Sequence, residues 1–190
     1  MHDTRARILA ASSALFRRAG YTGTGLKQVA VESGAPFGSI YHFFPGGKQE
    51  LGEEVIRTSG SAYQDLVLGI LRSTDGLPES IEVAFRSAGR TLAASGFADA
   101  CPIATVAMEV ASTNEPLREA AAEVFDGWLT ACAAYIREYG IDDAGARHLA
   151  LTLVTGLEGA FVLARTLRST EPLDAAGATA AGLARTLLEK

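Results

Sequence analysis

The 190 residues carry a formal charge of −5, with 48% hydrophobic and 21% charged residues and only two cysteines. That mixture suits one or two globular domains. It excludes a disulfide scaffold or zinc site built on Cys101 and Cys132, and no run of about 18 uncharged apolar residues suggests a membrane span. The N-terminal MHDTRARILAASSALF lacks the apolar stretch and cleavage site of a signal peptide, and a reducing cytoplasm is the expected compartment.

Charge is uneven along the chain. Six Lys or Arg against three Asp or Glu put residues 1–50 at +3, which leaves −8 for the remainder of the total of −5. A basic head on an acidic body suits a modular DNA binder, because phosphates attract the head alone.

Nearly every segment predicts helix, so the expected class is all-α with about nine helices. The first runs from about Thr4 to Ala19, with Ile8, Leu15 and Ala19 on one face, Leu9 and Phe16 beside them, and Gly20 as its left-handed stop. Thr24 is a candidate N-cap for a second helix that buries Leu26, Val29 and Ala30 and breaks at Gly34. A very short third helix starts at Pro36 and is stopped by Pro45-Gly46-Gly47. Longer helices are expected at about 48–73, 78–95, 103–112, 116–139, 143–168 and 173–189.

Two short helices joined by a tight glycine turn, backed by a third, form a helix-turn-helix. Leu26, Val29, Ala30, Ile40 and Phe44 supply its core. Pro36, Phe37, Ser39, Tyr41 and His42 are then left outward, on a helix small enough for a major groove. Phe43 reads as a core aromatic, and for Tyr41 the core is the alternative.

The run Gly20-Tyr21-Thr22-Gly23-Thr24, followed by Leu26, Val29, Ala30, Gly34 and Gly38-Ser39-Ile40-Tyr41-His42-Phe43-Phe44-Pro45, resembles the TetR family of repressors over roughly residues 5–52. Cys101-Pro102-Ile103-Ala104 with Glu109, and Phe44-Pro45-Gly46-Gly47-Lys48, look like its LmrA/YxaF-type branch. The resemblance implies a DNA-binding domain over 1–47 and a ligand-binding and dimerisation domain over 48–190. It implies that Pro36, Phe37, Gly38, Ser39, Tyr41 and His42 form the recognition helix, with Thr24, Lys27 and Lys48 at phosphates. The family often has serine and lysine where Pro36 and Phe37 stand here. Phe37 cannot bond guanine bidentately but can pack on a thymine methyl.

For the body, the resemblance implies a ligand cavity and a dimer interface. Candidate pocket residues are Phe85, Phe97, Cys101, Ala104, Met108, Phe125, Trp128, Glu158 and Phe161, with core packing as the alternative for the aromatics. Glu109 and Glu158 lie in apolar helices, where they would pair with an arginine such as Arg90 or Arg165, face ligand, or point to solvent. The last two helices carry Leu149, Leu153, Leu157, Phe161, Leu167, Leu183 and Leu187, and Gly156 and Gly159 permit close helix approach. The expected partners are an operator duplex, a second copy of the chain and a small, aromatic or hydrophobic inducer; no membrane partner is expected.

Enzymatic constellations are missing. Gly20-x-x-x-x-Gly25-Leu26-Lys27 misses a phosphate-binding loop by one residue, and no strand precedes it. No G-x-S-x-G, HExxH or CxxC occurs, and His2, His42 and His148 lack ligand spacing. No catalysis, cofactor or metal is therefore expected. The rival is a helical small-molecule-binding protein that touches no DNA.

Overall fold

The structure, a computed structural model, describes residues 2–99 and 101–189. Those residues form helices only, nine of them: α1 (His2–Ala19), α2 (Leu26–Ser33), α3 (Phe37–Phe43), α4 (Gly47–Leu71), α5 (Leu77–Ala94), α6 (Pro102–Val110), α7 (Glu115–Arg137), α8 (Asp143–Leu167) and α9 (Glu171–Leu188). They sort into two compact units, residues 1–62 with 101–124 and residues 63–100 with 125–190. The division differs from a cut at 47/48 because α4 runs unbroken through that point. Its first half shares a unit with α6 and the first turns of α7.

In the first unit, α1 buries Ile8, Ala11, Leu15 and Phe16, the stripe its 3.6-residue period dictates. Ala19, expected on that face, is exposed, because the helix is already turning out of contact there. Gly20 ends α1 at φ +73°, donating its N–H to Phe16 O at 3.0 Å. The N-cap of α2 is Gly25, not Thr24. The Thr24 hydroxyl turns inward instead and donates to Gly20 O at 2.8 Å, which closes the α1–α2 turn on itself. Gly34 ends α2 in the left-handed region, at φ +60°. Leu51, Val55 and Ile56 of α4 complete this core. Gly52 lets α7 lie close, since a Cβ there would sit 2.9 Å from Leu117 Cδ2. α6 packs on α1 and buries Ile103, Val106 and Val110.

In the second unit, α9 packs against α5 and α8. The core is Leu77, Ile81, Phe85 and Leu92 of α5 against Leu149, Leu153 and Phe161 of α8 and Leu173 of α9. Small residues set the approach: Gly177 on α9 faces Phe85, whose Cβ would lie 2.7 Å from an added methyl. Leu157, Leu183 and Leu187 pack against this core, whereas Leu167 is 63% exposed.

Among the described residues, α8 is long and apolar enough by length and composition to cross a membrane. Glu158 interrupts its apolar run, so it contains no stretch of about 18 uncharged residues. One face of α8 is engaged by α5 and α9.

Candidate nucleic-acid interface

Buried side chains and two arginines of α1 hold α3 and the turn before it in place. Ile40 is its buried anchor, and Phe44 follows it into the core. The Phe44 N–H donates to Ile40 O at 2.8 Å and closes the last turn. From α1, the Arg7 guanidinium donates to Ser33 O at 2.9 Å and Gly34 O at 3.3 Å, which ties the first helix to the turn that precedes α3. Arg5 adds an ion pair to Glu54 at 2.8 Å and lies 5.4 Å from the Phe44 ring centre. These arginines are structural clamps as well as charges, which sequence reading had not separated.

With Ile40 pinned inward, helical geometry turns Gly38 and His42 to the opposite side and sets Phe37 and Tyr41 together on one flank. Phe37 is 43% exposed and Tyr41 49%, and their rings meet edge to face with centroids 5.8 Å apart. Pro36, Gly38 and His42 are exposed and Ser39 is half-buried. His42 stacks edge to face on half-buried Phe43 at 4.9 Å. A Cβ built on Gly38 meets nothing within 4 Å, so that side of the helix is open to an approaching surface. Lys27 is exposed on α2. The structure thus leaves Pro36, Phe37, Gly38, Tyr41 and His42 exposed around the outer side of α3 and its N-cap.

Two expected residues sit differently. Thr24 is 1% exposed, so its side chain serves the turn rather than solvent. Lys48 is half-buried, with its Nζ 4.4 Å from the centre of the Tyr21 ring. Burial holds its ammonium below the usual lysine range, and the Glu109 carboxylate partly offsets that.

Of the three settings expected for Glu109, an arginine pair, ligand or solvent, the structure shows the exposed one. From there it accepts the Thr22 backbone N–H at 2.8 Å, with its carboxylate packed against Gly20. One expected arginine partner, Arg165, donates to Phe97 O and Ala98 O at 3.5 and 3.1 Å.

The nine pocket candidates divide between the units. Cys101, Ala104 and Met108 belong to the first. Cys101 is buried, and its Sγ caps α6 by accepting from Ala104 N at 3.4 Å. Ala104 is half-buried, whereas Met108 is 75% exposed because it lies opposite the buried phase of α6. In the second unit, Trp128 is buried between Phe125 and Tyr63, with ring centroids 5.4 and 5.3 Å away. Phe85 and Phe161 belong to the core, and Phe97 and Glu158 are half-buried.

A short outward helix held from behind by two others is the geometry of a helix-turn-helix. Residues 8–55 match the family of bacterial regulatory proteins known as the tetR family, and residues 78–179 match the C-terminal domain of LmrA/YxaF-like transcriptional regulators. The HTH-type transcriptional regulator YxaF of Bacillus subtilis (strain 168) is 33% identical over 171 residues, spanning 90% of each chain. LmrA of the same organism is 30% identical over 171 residues, covering 90% of this chain and 91% of that protein. Among solved structures, a TetR transcriptional regulator from Chloroflexus aurantiacus superposes with a TM-score of 0.79 at 27% identity, covering 95% of this chain and 93% of that one. The regulatory protein TetR from Rhodobacter sphaeroides shares the fold, with a TM-score of 0.82 at 22% identity over 93% and 96% of the two chains. The chain therefore belongs to the TetR family of helix-turn-helix transcriptional regulators, and its C-terminal part to the LmrA/YxaF-like branch.

Proposed function

We propose that the protein is a repressor that binds a palindromic operator as a homodimer and is released by a small aromatic or hydrophobic molecule. The observation that carries the DNA-binding part is the outward Phe37–Tyr41–His42 face on a helix anchored through Ile40. Pro36, Gly38 and Ser39 complete the docking face, Lys27 supplies a phosphate contact beside it, and Lys48 supplies another by moving off Tyr21. Thr24 contributes by holding the turn. Residues 1–47 are the DNA-reading part and residues 48–190 the sensing and pairing part. That role requires the compartment that holds the chromosome, the cytoplasm.

The dimer reading is supported by an apolar face on α8. Leu151, Thr155, Gly159, Val162 and Leu163 are exposed at helical spacing, and a Cβ on Gly159 would meet nothing within 4 Å. An exposed apolar stripe of that length invites a second copy. One seven-residue helix reads few base pairs, and a two-fold pair reads two half-sites.

The sensing site is assigned to the second unit, to Trp128 with its ring neighbours Tyr63 and Phe125, and to Phe97, Phe161 and Glu158 of the same unit. Ligand can displace the heads only through a difference in its affinity for the two states.

Selection of the full-length chain against a random duplex library tests the whole reading. A recovered inverted repeat supports it. Recovery of no preferred sequence, with Trp128 fluorescence still responding to aromatic compounds, establishes the rival, a small-molecule binder without DNA.

A further inference from the structure

α3 reads Phe-Gly-Ser-Ile-Tyr-His-Phe and holds no Lys, Arg, Asn, Gln, Asp or Glu. The side chains that bond two atoms of one base edge, Arg or Lys on guanine and Asn or Gln on adenine, are therefore missing from the helix that faces the groove. Ser39, the Tyr41 hydroxyl and His42 offer only single hydrogen bonds. The largest exposed side chain at the start of α3 is a hydrocarbon ring instead. Phe37 stands in the first turn, edge to face with Tyr41 at 5.8 Å, between exposed Pro36 and the open flank at Gly38. Its orientation is already restricted by that ring contact, so little further ordering is needed when a surface meets it.

The major-groove edges of the four bases carry one apolar group, the C5-methyl of thymine. We infer that Phe37 is a specificity-determining residue that recognises a thymine C5-methyl in each half-site, so that a methyl group and not a hydrogen-bonding edge decides that base pair. The inference rests on the DNA-binding reading of α3. Tyr41, at the far side of the ring pair, buttresses Phe37 and leaves its free face to the base.

The test uses the full-length protein and the duplex recovered by selection. Each thymine of the half-site is replaced singly by deoxyuridine, which removes only the methyl, and affinity is read by fluorescence anisotropy for the native chain, Phe37→Ala and Phe37→Leu. The expected result is one thymine per half-site whose demethylation weakens binding about three- to fivefold, the worth of one methyl removed from water. Phe37→Ala loses that discrimination while keeping salt-sensitive binding, and Phe37→Leu keeps part of it. If no thymine responds, or if Phe37→Ala discriminates as the native chain does, the inference is overturned while the DNA-binding reading stands. If selection recovers no sequence, the DNA-binding reading itself fails and takes the inference with it.

Discussion

Glu109 on α6 accepts the Thr22 backbone N–H at 2.8 Å across 87 residues of chain, and its carboxylate fills the space beside Gly20. One side chain thereby fastens α6 to the turn between α1 and α2. Two features protect this fit. Gly20 takes φ +73°, and a Cβ there would collide with Glu109 Oε1.

Glu109→Ala should therefore loosen the head without unfolding it. We expect helical content to be unchanged and stability to fall by about 0.5–1.5 kcal/mol, the net worth of one such bond, with DNA affinity falling severalfold. Gly20→Ala should cost more, because a left-handed conformation alone costs an alanine about 1–2 kcal/mol. Urea denaturation of the two variants beside the native chain checks the order.

Val162→Asp places a charge in the exposed apolar stripe of α8. The side chain is half exposed, so the fold should tolerate it. Sedimentation should show native dimers converted to monomers, and operator affinity should fall by at least tenfold because each head then binds alone. A variant that still sediments as a dimer would move the interface elsewhere.

Burial pushes the Cys132 thiol from 9.0 up to about 11, so the folded chain prefers it protonated. The sign follows: this contribution is complete below about pH 9 and is lost as pH rises towards 11. The melting temperature should drop across that window, less steeply in Cys132→Ala. Thiol reagents should label Cys132 only after denaturation at pH 7.

Tyr135 donates its hydroxyl to Leu71 O at 2.7 Å and meets the Tyr139 hydroxyl at 2.8 Å. Tyr135→Phe strands the Leu71 carbonyl in the core and should cost about 1–2 kcal/mol, measurable by urea denaturation.

The helices were legible because their apolar residues recur at helical period, and their ends were missed by only one or two residues. What escaped was contact at a distance. Sequence placed Glu109 in an apolar helix but had no means of matching it to Thr22 N–H. Thr24 carries a capping side chain, but its hydroxyl turns back to donate to Gly20 O, and α2 begins one residue later with Gly25 as its cap. Met108 has the softness of a pocket wall, but the phase of Ile103, Val106 and Val110 turns it away from the buried side. The outward face of α3 was readable, because Ile40 and Phe44 fix which way a seven-residue helix can turn.

The central claim is that the α3 face reads DNA, and Tyr41→Ala tests it most directly. Tyr41 is half exposed, so its loss should leave the fold intact. Anisotropy titrations of the selected duplex at about 50 and 200 mM salt should show tight native binding that weakens at least tenfold with salt. In Tyr41→Ala the preference for the selected sequence over a scrambled duplex should disappear. Equal, sequence-specific binding by native and variant proteins would contradict the account.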